Sequence, residues 1–232
     1  MSADMRRAVL RERSLRPLAK VILLLAVAGV CATPSSVHGW ELSLLTGLVF
    51  NGPGPLVLRQ EGWPEVRLSA QFRTRPLSFP LYYAVRLAPH AAAGVEAELI
   101  HDKLYLRNRP VEVQAFAVTH GFNLFLFNFT RATNAWRLRA GGGVVIAHPE
   151  TTVRGRHQPE VGGPLGGGYY LSGPAGQLSV SRTKCLKQRV AVLAEAKLTI
   201  ARARFPIAGG DACLLNPALH VLVGLSFGAR GR

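Results

Sequence analysis

From Trp40 onward, apolar positions recur at every second residue. In 190–200 the even positions are Val190, Val192, Ala194, Ala196, Leu198 and Ile200, with Glu195, Lys197 and Thr199 between them. In 136–147 Trp136, Leu138, Ala140, Gly142, Val144 and Ile146 share one parity, and Arg137 and Arg139 take the other. The same alternation runs through Trp40–Leu44, through Leu81, Tyr83, Val85 and Leu87 around Arg86, through Val95, Ala97 and Leu99 around Glu96 and Glu98, and through Leu219, Val221, Val223, Leu225 and Phe227. Successive side chains of a strand point to opposite faces, so a period of two predicts strands. No segment after residue 39 offers a helix-period apolar stripe bounded by caps. The pattern predicts eight strands, over 40–50, 79–88, 93–106, 121–131, 136–148, 171–183, 188–201 and 217–227.

Eight antiparallel strands can close into a small barrel without free edges. The fold class expected is all-β, an eight-stranded antiparallel up-and-down transmembrane barrel. Each run is long enough to cross a bilayer at a tilt, which takes about 9–11 residues. Alternation by itself does not say which face is inside. A soluble, lipocalin-like barrel puts the apolar set inside, and a membrane barrel puts it outside. Three features favour the membrane. The gaps between strands alternate: long over 51–78, 107–120, 149–170 and 202–216, short over 89–92, 132–135 and 184–187, as in barrels with long external loops and short periplasmic turns. The polar faces balance their charges, Glu41, Glu96, Glu98 and Glu195 against Arg86, Arg137, Arg139 and Lys197, as a narrow lumen requires. The apolar alternation ending at Phe227 is similar to the C-terminal signal read by the barrel-assembly machinery, here followed by a tail from Gly228 to Arg232.

The N-terminus differs from the rest. Six basic residues (Arg6, Arg7, Arg11, Arg13, Arg16, Lys20) precede an uncharged, mostly apolar run from Val21 to Ala32. That run is too short for a transmembrane helix, which needs about 20 residues. A basic head, a short apolar centre and small residues after it predict a secretory signal peptide over 1–39, cut before Trp40, with a cut after Ala32 as the alternative. The mature barrel would then be 40–232. Composition adds little to the fold but changes the partner. The 232 residues hold 28 Lys+Arg against 13 Asp+Glu, a net charge of +15. Residues 1–39 hold six basic and two acidic residues, which leaves 22 against 11, so the mature chain is basic in its own right. An exported basic chain meets a phosphate-bearing membrane surface rather than nucleic acid. Three cysteines make neither a disulfide scaffold nor a zinc ribbon, and Cys185 and Cys213 fall at opposite ends of a strand, too far apart to bond.

Candidate chemistry gathers at the outer ends of the predicted strands. Glu98, His101, Asp102 and Lys103 fall on the third strand, His120 and Asn123 on the fourth, and His148 and Glu150 on the fifth, with Asp211 and Asn216 beside the eighth. Histidine is both a common metal ligand and an acid/base at neutral pH. A histidine among His101, His120 and His148 would serve as base, with Glu98 or Glu150 fixing its tautomer. Lys103 and Asn123 would hold substrate. Two histidines and a carboxylate would alternatively bind a metal that activates oxygen. Strand phase qualifies this convergence: His101 lies an odd number of residues from Glu98 and shares its face only if a bulge intervenes. Gly141-Gly142-Gly143 is followed by no Gly-Lys-Ser/Thr and lies mid-strand, so it reads as room for bulky neighbours rather than a phosphate loop.

Several segments carry a family resemblance: Pro80-Leu81-Tyr82-Tyr83-Ala84-Val85-Arg86, Gly94-Val95-Glu96 through His101-Asp102-Lys103-Leu104-Tyr105, Thr119-His120-Gly121-Phe122-Asn123, Gly143 through His148-Pro149-Glu150, Leu171-Ser172-Gly173-Pro174-Ala175, and Leu215-Asn216 through Leu225-Ser226-Phe227. In order and spacing these resemble the outer-membrane barrels known as lipid A oxidases, over about 40–227. The resemblance implies an outer-membrane protein of a Gram-negative bacterium, facing lipopolysaccharide. The implied activity is oxygen-dependent oxidation of the proximal glucosamine of lipid A to 2-aminogluconate, with release of hydrogen peroxide. It names no cofactor. Two other classes fit the same residues: a non-catalytic small barrel for adhesion, lipopolysaccharide binding or membrane stabilisation, and another lipid A modifier such as a deacylase.

Overall fold

The computed structural model describes residues 39–89, 93–133, 136–187 and 189–228. The expected signal peptide lies, but for Gly39, outside the described residues. Twelve strands form one sheet: β1 (Trp40–Asn51), β2 (Gly54–Gln60), β3 (Val66–Ala70), β4 (Phe72–Arg73), β5 (Tyr83–Pro89), β6 (Ala93–Leu106), β7 (Val113–Thr133), β8 (Trp136–Val153), β9 (Arg156–His157), β10 (Tyr170–Lys187), β11 (Val190–Ile207) and β12 (Gly210–Phe227). Eight of them, β1-β5-β6-β7-β8-β10-β11-β12, pair in antiparallel order, and β12 pairs back onto β1 from Leu42↔Phe227 to Asn51↔Ala218, closing the ring. All eight predicted strands are present. The segment expected to start at residue 79 starts at Tyr83, because 76–82 turns over the outer wall instead of pairing.

Strands β7, β8, β11 and β12 run well past their predicted outer ends, and a hairpin β2–β3 adds to the outer part of β12. Three of the four gaps expected to be long loops, 51–78, 107–120 and 202–216, are therefore more than half strand, while 149–170 stays mostly loop. The reason is a reversal of polarity, clearest on β11. Val192, Ala194, Ala196, Leu198 and Ile200 face out while Glu195, Lys197 and Thr199 are buried; beyond them Arg202 and Arg204 face out while Ala203, Phe205 and Ile207 are buried. The alternation never stops, but its sign changes between Ile200 and Arg202. Below that point the exterior is apolar, with Leu42, Leu44, Leu48 and Phe50, Phe127 and Phe129, Leu138, Leu178, and Leu219, Val221, Val223, Leu225 and Phe227 exposed, and Trp40 and Trp136 near the inner edge. Such a band matches lipid with its interfacial aromatics. Phe122, which shares a run with Phe125, Phe127 and Phe129, points inward instead.

Within the band the lumen is filled by a neutral charge cluster of three acids and three bases. The Arg86 guanidinium bonds Glu98 and Glu195 (2.9 Å each) and sits 3.1 Å from Glu96. Arg139 donates to Glu96 (2.7 Å) and to Ser181 (2.7 Å). Lys197 bonds Glu98 and lies 3.2 Å from Glu195. Asn128 and Gln177 donate to the second Glu98 oxygen at 3.0 and 2.6 Å. Gly141 makes this possible: a Cβ there would lie 2.1 Å from Asn128 Oδ1. Tyr82, bonded to His220 (2.8 Å), and Thr199, on the other His220 nitrogen (2.9 Å), cap the cluster. Above them the interior is apolar, with Leu56, Leu58, Phe72, Leu104, Phe116, Phe205 and Leu214 packed together. The barrel is thus membrane-like in its inner half and like a soluble barrel in its outer half.

Candidate functional site

The site begins with an irregularity in β7. Between the pairs Val118↔Pro149 and Phe122↔Ala147, β7 has three residues, Thr119, His120 and Gly121, where β8 has only His148. On its other side the same three residues face Lys103 of β6, between Leu104↔Val118 and Asp102↔Phe122. Two extra residues here form a bulge, the kind of irregularity that re-aims a side chain. Gly121 takes φ +137°, a conformation that disfavours any side chain, and a Cβ at Gly121 would lie 2.1 Å from Asn123 Nδ2. The bulge sets Lys103, His120 and His148 in one row across three strands.

This row lies on the outer wall, not in the lumen. His148 follows Val144 and Ile146 on the same face of β8, and His101 follows Val95, Ala97 and Leu99 on the same face of β6, so both stand immediately above the apolar band. His120 Nδ1 donates to Glu150 Oε1 at 2.7 Å, and the same oxygen is 3.9 Å from His148 Nδ1. The His120 and His148 rings are 5.0 Å apart, edge to face. Tyr169, from the segment between β9 and β10, packs edge-on against His148 at 4.8 Å and donates its hydroxyl to the His120 carbonyl (3.0 Å). That segment also delivers Glu160: one ligand atom each from His120, His148 and Glu160 lie within 4.8 Å of one another. His148 is buried and its Nδ1 has no hydrogen-bond partner among the described residues.

Of the residues expected at the site, His120, His148 and Glu150 are brought together. His101 and Asn123 pair beside them, Nδ1 to Oδ1 at 2.8 Å, with the His101 ring stacked on Tyr83 at 5.0 Å. Burial lowers the His101 pKa, the bond it donates to Asn123 Oδ1 opposes this, and Lys103 and His120 lower it further. The Lys103 ammonium is covered by the 76–82 turn and donates to the Ser78 carbonyl and hydroxyl (2.6 and 2.9 Å), so it holds that turn down rather than standing open to a ligand. Glu98 does not join the group. The register from Glu98↔Leu126 to His101↔Asn123 is continuous, no bulge intervenes, and Glu98 stays in the lumen cluster. Asp211 ion-pairs with Arg204, and Asn216 bonds Asn51, both away from the row. Glu160 and Tyr169 escape the sequence because they lie in a glycine-rich stretch that reads as an external loop. Cys185 and Cys213 are free.

No protein-family model matches the chain, and no curated protein matches it. Among solved structures it is similar to the outer membrane protein OprG from Pseudomonas aeruginosa (9% identity, covering 82% of this chain and 96% of that one, TM-score 0.45). It is similar also to the outer membrane protease OmpT from Escherichia coli (8% identity, 85% and 99% covered, TM-score 0.42) and to Neisserial surface protein A (6% identity, 83% and 98% covered, TM-score 0.37). A closed ring of even strand number, an apolar exterior band and a charge-neutral lumen are on this chain itself. It is a closed, eight-stranded transmembrane β-barrel. The described chain ends, Trp40 and Phe227, lie at the end of the barrel opposite the His120–His148 row, which stands directly above the apolar band.

Proposed function

We propose that the barrel acts on lipid A in the outer leaflet, oxidising its proximal glucosamine to 2-aminogluconate. The observation that carries this reading is the position of the titratable row. His120, His148 and Glu150 lie on the lipid-facing wall, directly above the apolar band, where the sugar backbone of lipid A stands while its acyl chains lie against the band below. The reaction itself comes from the family resemblance. In chemical terms the hydrogen of the free anomeric hydroxyl and the hydrogen on the same carbon leave as two protons and two electrons, and the oxygen stays as the lactone carbonyl. Molecular oxygen takes up both and becomes hydrogen peroxide, and water opens the resulting lactone. A histidine held by Glu150 is suited to take the hydroxyl proton, since a carboxylate partner fixes the imidazole tautomer and stabilises its cation. Tyr169 and the bulge hold the two rings in place, which is the positioning such a step needs.

The test is the mass spectrum of lipid A from cells that express the chain and cells that lack it. A species heavier by one oxygen on the proximal sugar supports the reading, and its disappearance in His120→Ala and His148→Ala assigns the site. Unchanged lipid A in expressing cells returns the chain to the non-catalytic class, and loss of an acyl chain makes it a deacylase.

A further inference from the structure

We propose that His120, His148 and Glu160 are the protein ligands of one divalent first-row metal ion, with Glu150 orienting the imidazoles. This deepens the reading above, since it concerns the same wall of the barrel and gives the two imidazoles to a metal ion in place of proton transfer, and it is testable without lipid A.

Four observations converge on it. The three ligand atoms lie within 4.8 Å of one another. Two metal–ligand bonds of about 2.1 Å set ligand atoms at most about 4 Å apart, so a movement of roughly an ångström completes the site. Glu160, on the exposed segment after β9, is the ligand free to make that movement. Second, the outer shell is already built. Metal-bound histidines donate their other ring N–H to a carboxylate, which fixes tautomer and direction. His120 Nδ1 donates to Glu150 at 2.7 Å, leaving its Nε2 with a lone pair, and His148 Nδ1 lies 3.9 Å from the same oxygen. Third, His148 is 5% exposed, and its Nδ1 is without a hydrogen-bond partner among the described residues. A buried imidazole is ordinarily paired, so the unpartnered Nδ1 of this ring marks a place for a ligand or for Glu150 once the site is loaded. Fourth, the backbone gives way around it. A Cβ at Gly168 would stand 2.7 Å from His148 Nε2 and 3.0 Å from the Glu160 carbonyl. Only glycine lets the segment carrying Glu160 lie this close to the ring.

Two histidines and one carboxylate leave coordination positions open, the arrangement of metal sites that bind oxygen, water or substrate rather than serve structure. The open side belongs to His120, which remains exposed toward the headgroup layer.

The experiment uses the mature chain folded in detergent micelles, stripped with chelator and titrated with Co²⁺, read by calorimetry and by the visible absorption of the bound ion. Expected are one Co²⁺ per chain and a weakening of about 10–100-fold in Glu150→Gln, as for outer-shell carboxylates. Glu160→Gln and His148→Ala should weaken binding further still. His157→Ala, an exposed histidine outside the cluster, should bind as the parent does. Heat-dependent gel mobility verifies that each variant is a closed barrel. Absence of stoichiometric Co²⁺ from the folded parent, or equal affinity in a His120→Ala/His148→Ala chain, overturns the site. Metal bound while lipid A stays unaltered removes the oxidation and keeps the site; lipid A oxidised by a parent chain that binds no stoichiometric Co²⁺ removes the site and keeps the oxidation.

Discussion

Asp102 faces inward where the charged lumen gives way to the apolar outer core, one residue above the band on β6. Its Oδ1 accepts from Thr74 Oγ1 at 2.8 Å and from the Lys103 N–H at 2.7 Å. Burial outweighs both bonds and the nearby Lys103 charge, and pushes the carboxyl pKa up to about 7. An acid whose folded pKa is raised stabilises the fold fully below its unfolded value, about 4, and loses that contribution as pH rises through the folded value. The barrel is therefore expected to be more resistant to denaturant at pH 5 than at pH 8. Asp102→Asn should abolish most of that difference, by an amount on the order of a few kcal/mol. Urea midpoints at the two pH values measure it, and an equal pH dependence in parent and variant would discount Asp102 as the cause. At this scale the sequence exposes some groups and conceals others. His120, His148 and Glu150 are visible because polar residues directly follow apolar strand positions. Glu160 is not, because nothing in a glycine-rich segment tells which carboxylate folds back onto a strand. Lys103 looks like an open cation, yet its neighbour Ser78 is 25 positions away in sequence and claims the ammonium.

The strands themselves are legible for a physical reason. An apolar exterior and a polar lumen impose a period of two, and all eight segments of the band carry it. Their outer extensions share the period with reversed sign, as between Ile200 and Arg202, so a reading that follows the apolar set outward stops where lipid stops. The β2–β3 hairpin is missed for the same reason: Leu56 and Leu58 are buried while Val57 and Arg59 face out, the phase of a soluble barrel. The bulge at Thr119-His120-Gly121 interrupts alternation and has no period of its own. Yet it decides the site, since without its two extra residues the row of Lys103, His120 and His148 falls out of line. Gly121→Ala tests this. The new Cβ meets the Asn123 side chain in a backbone conformation that only glycine takes easily, so the bulge must rearrange and turn His120 away from Glu150. The variant should form a barrel of normal gel mobility, lose metal affinity as far as His120→Ala does, and leave lipid A unmodified. Full metal affinity in Gly121→Ala would show that the bulge geometry is not what aims His120.

At the scale of the whole molecule, two kinds of interior meet in one cylinder. The inner half hides six charges in a closed network, and the outer half hides a conventional apolar core. The network is neutral only as a set. Removing one member leaves an uncompensated charge in a dry interior, at a cost of about 3–5 kcal/mol. Lys197→Met is expected to lower markedly the temperature at which the compact gel form converts to the unfolded one, while Arg202→Gln, on the exterior just above the band, should leave it in place. Equal conversion temperatures would mean that water reaches the lumen and screens Glu98. Balanced charge along the polar faces is readable from sequence; which three acids meet which three bases is a matter of shear between strands, and alternation does not record shear. The same cylinder fixes a direction. Both described chain ends lie at the end opposite the β2–β3 hairpin, and the pairs Thr133↔Trp136 and Lys187↔Val190 lie at that same end. If that side is periplasmic, an impermeant maleimide added to intact cells should modify Val161→Cys, exposed in the segment that carries Glu160, in a chain with Cys185 and Cys213 replaced by serine. Cys185, exposed near the end of β10, should react only after the outer membrane is permeabilised. Labelling of Cys185 on intact cells, with Val161→Cys protected, would invert the barrel. The His120–His148 row would then face the periplasmic leaflet, where there is no lipid A to act on, and the proposed substrate would fall with the topology.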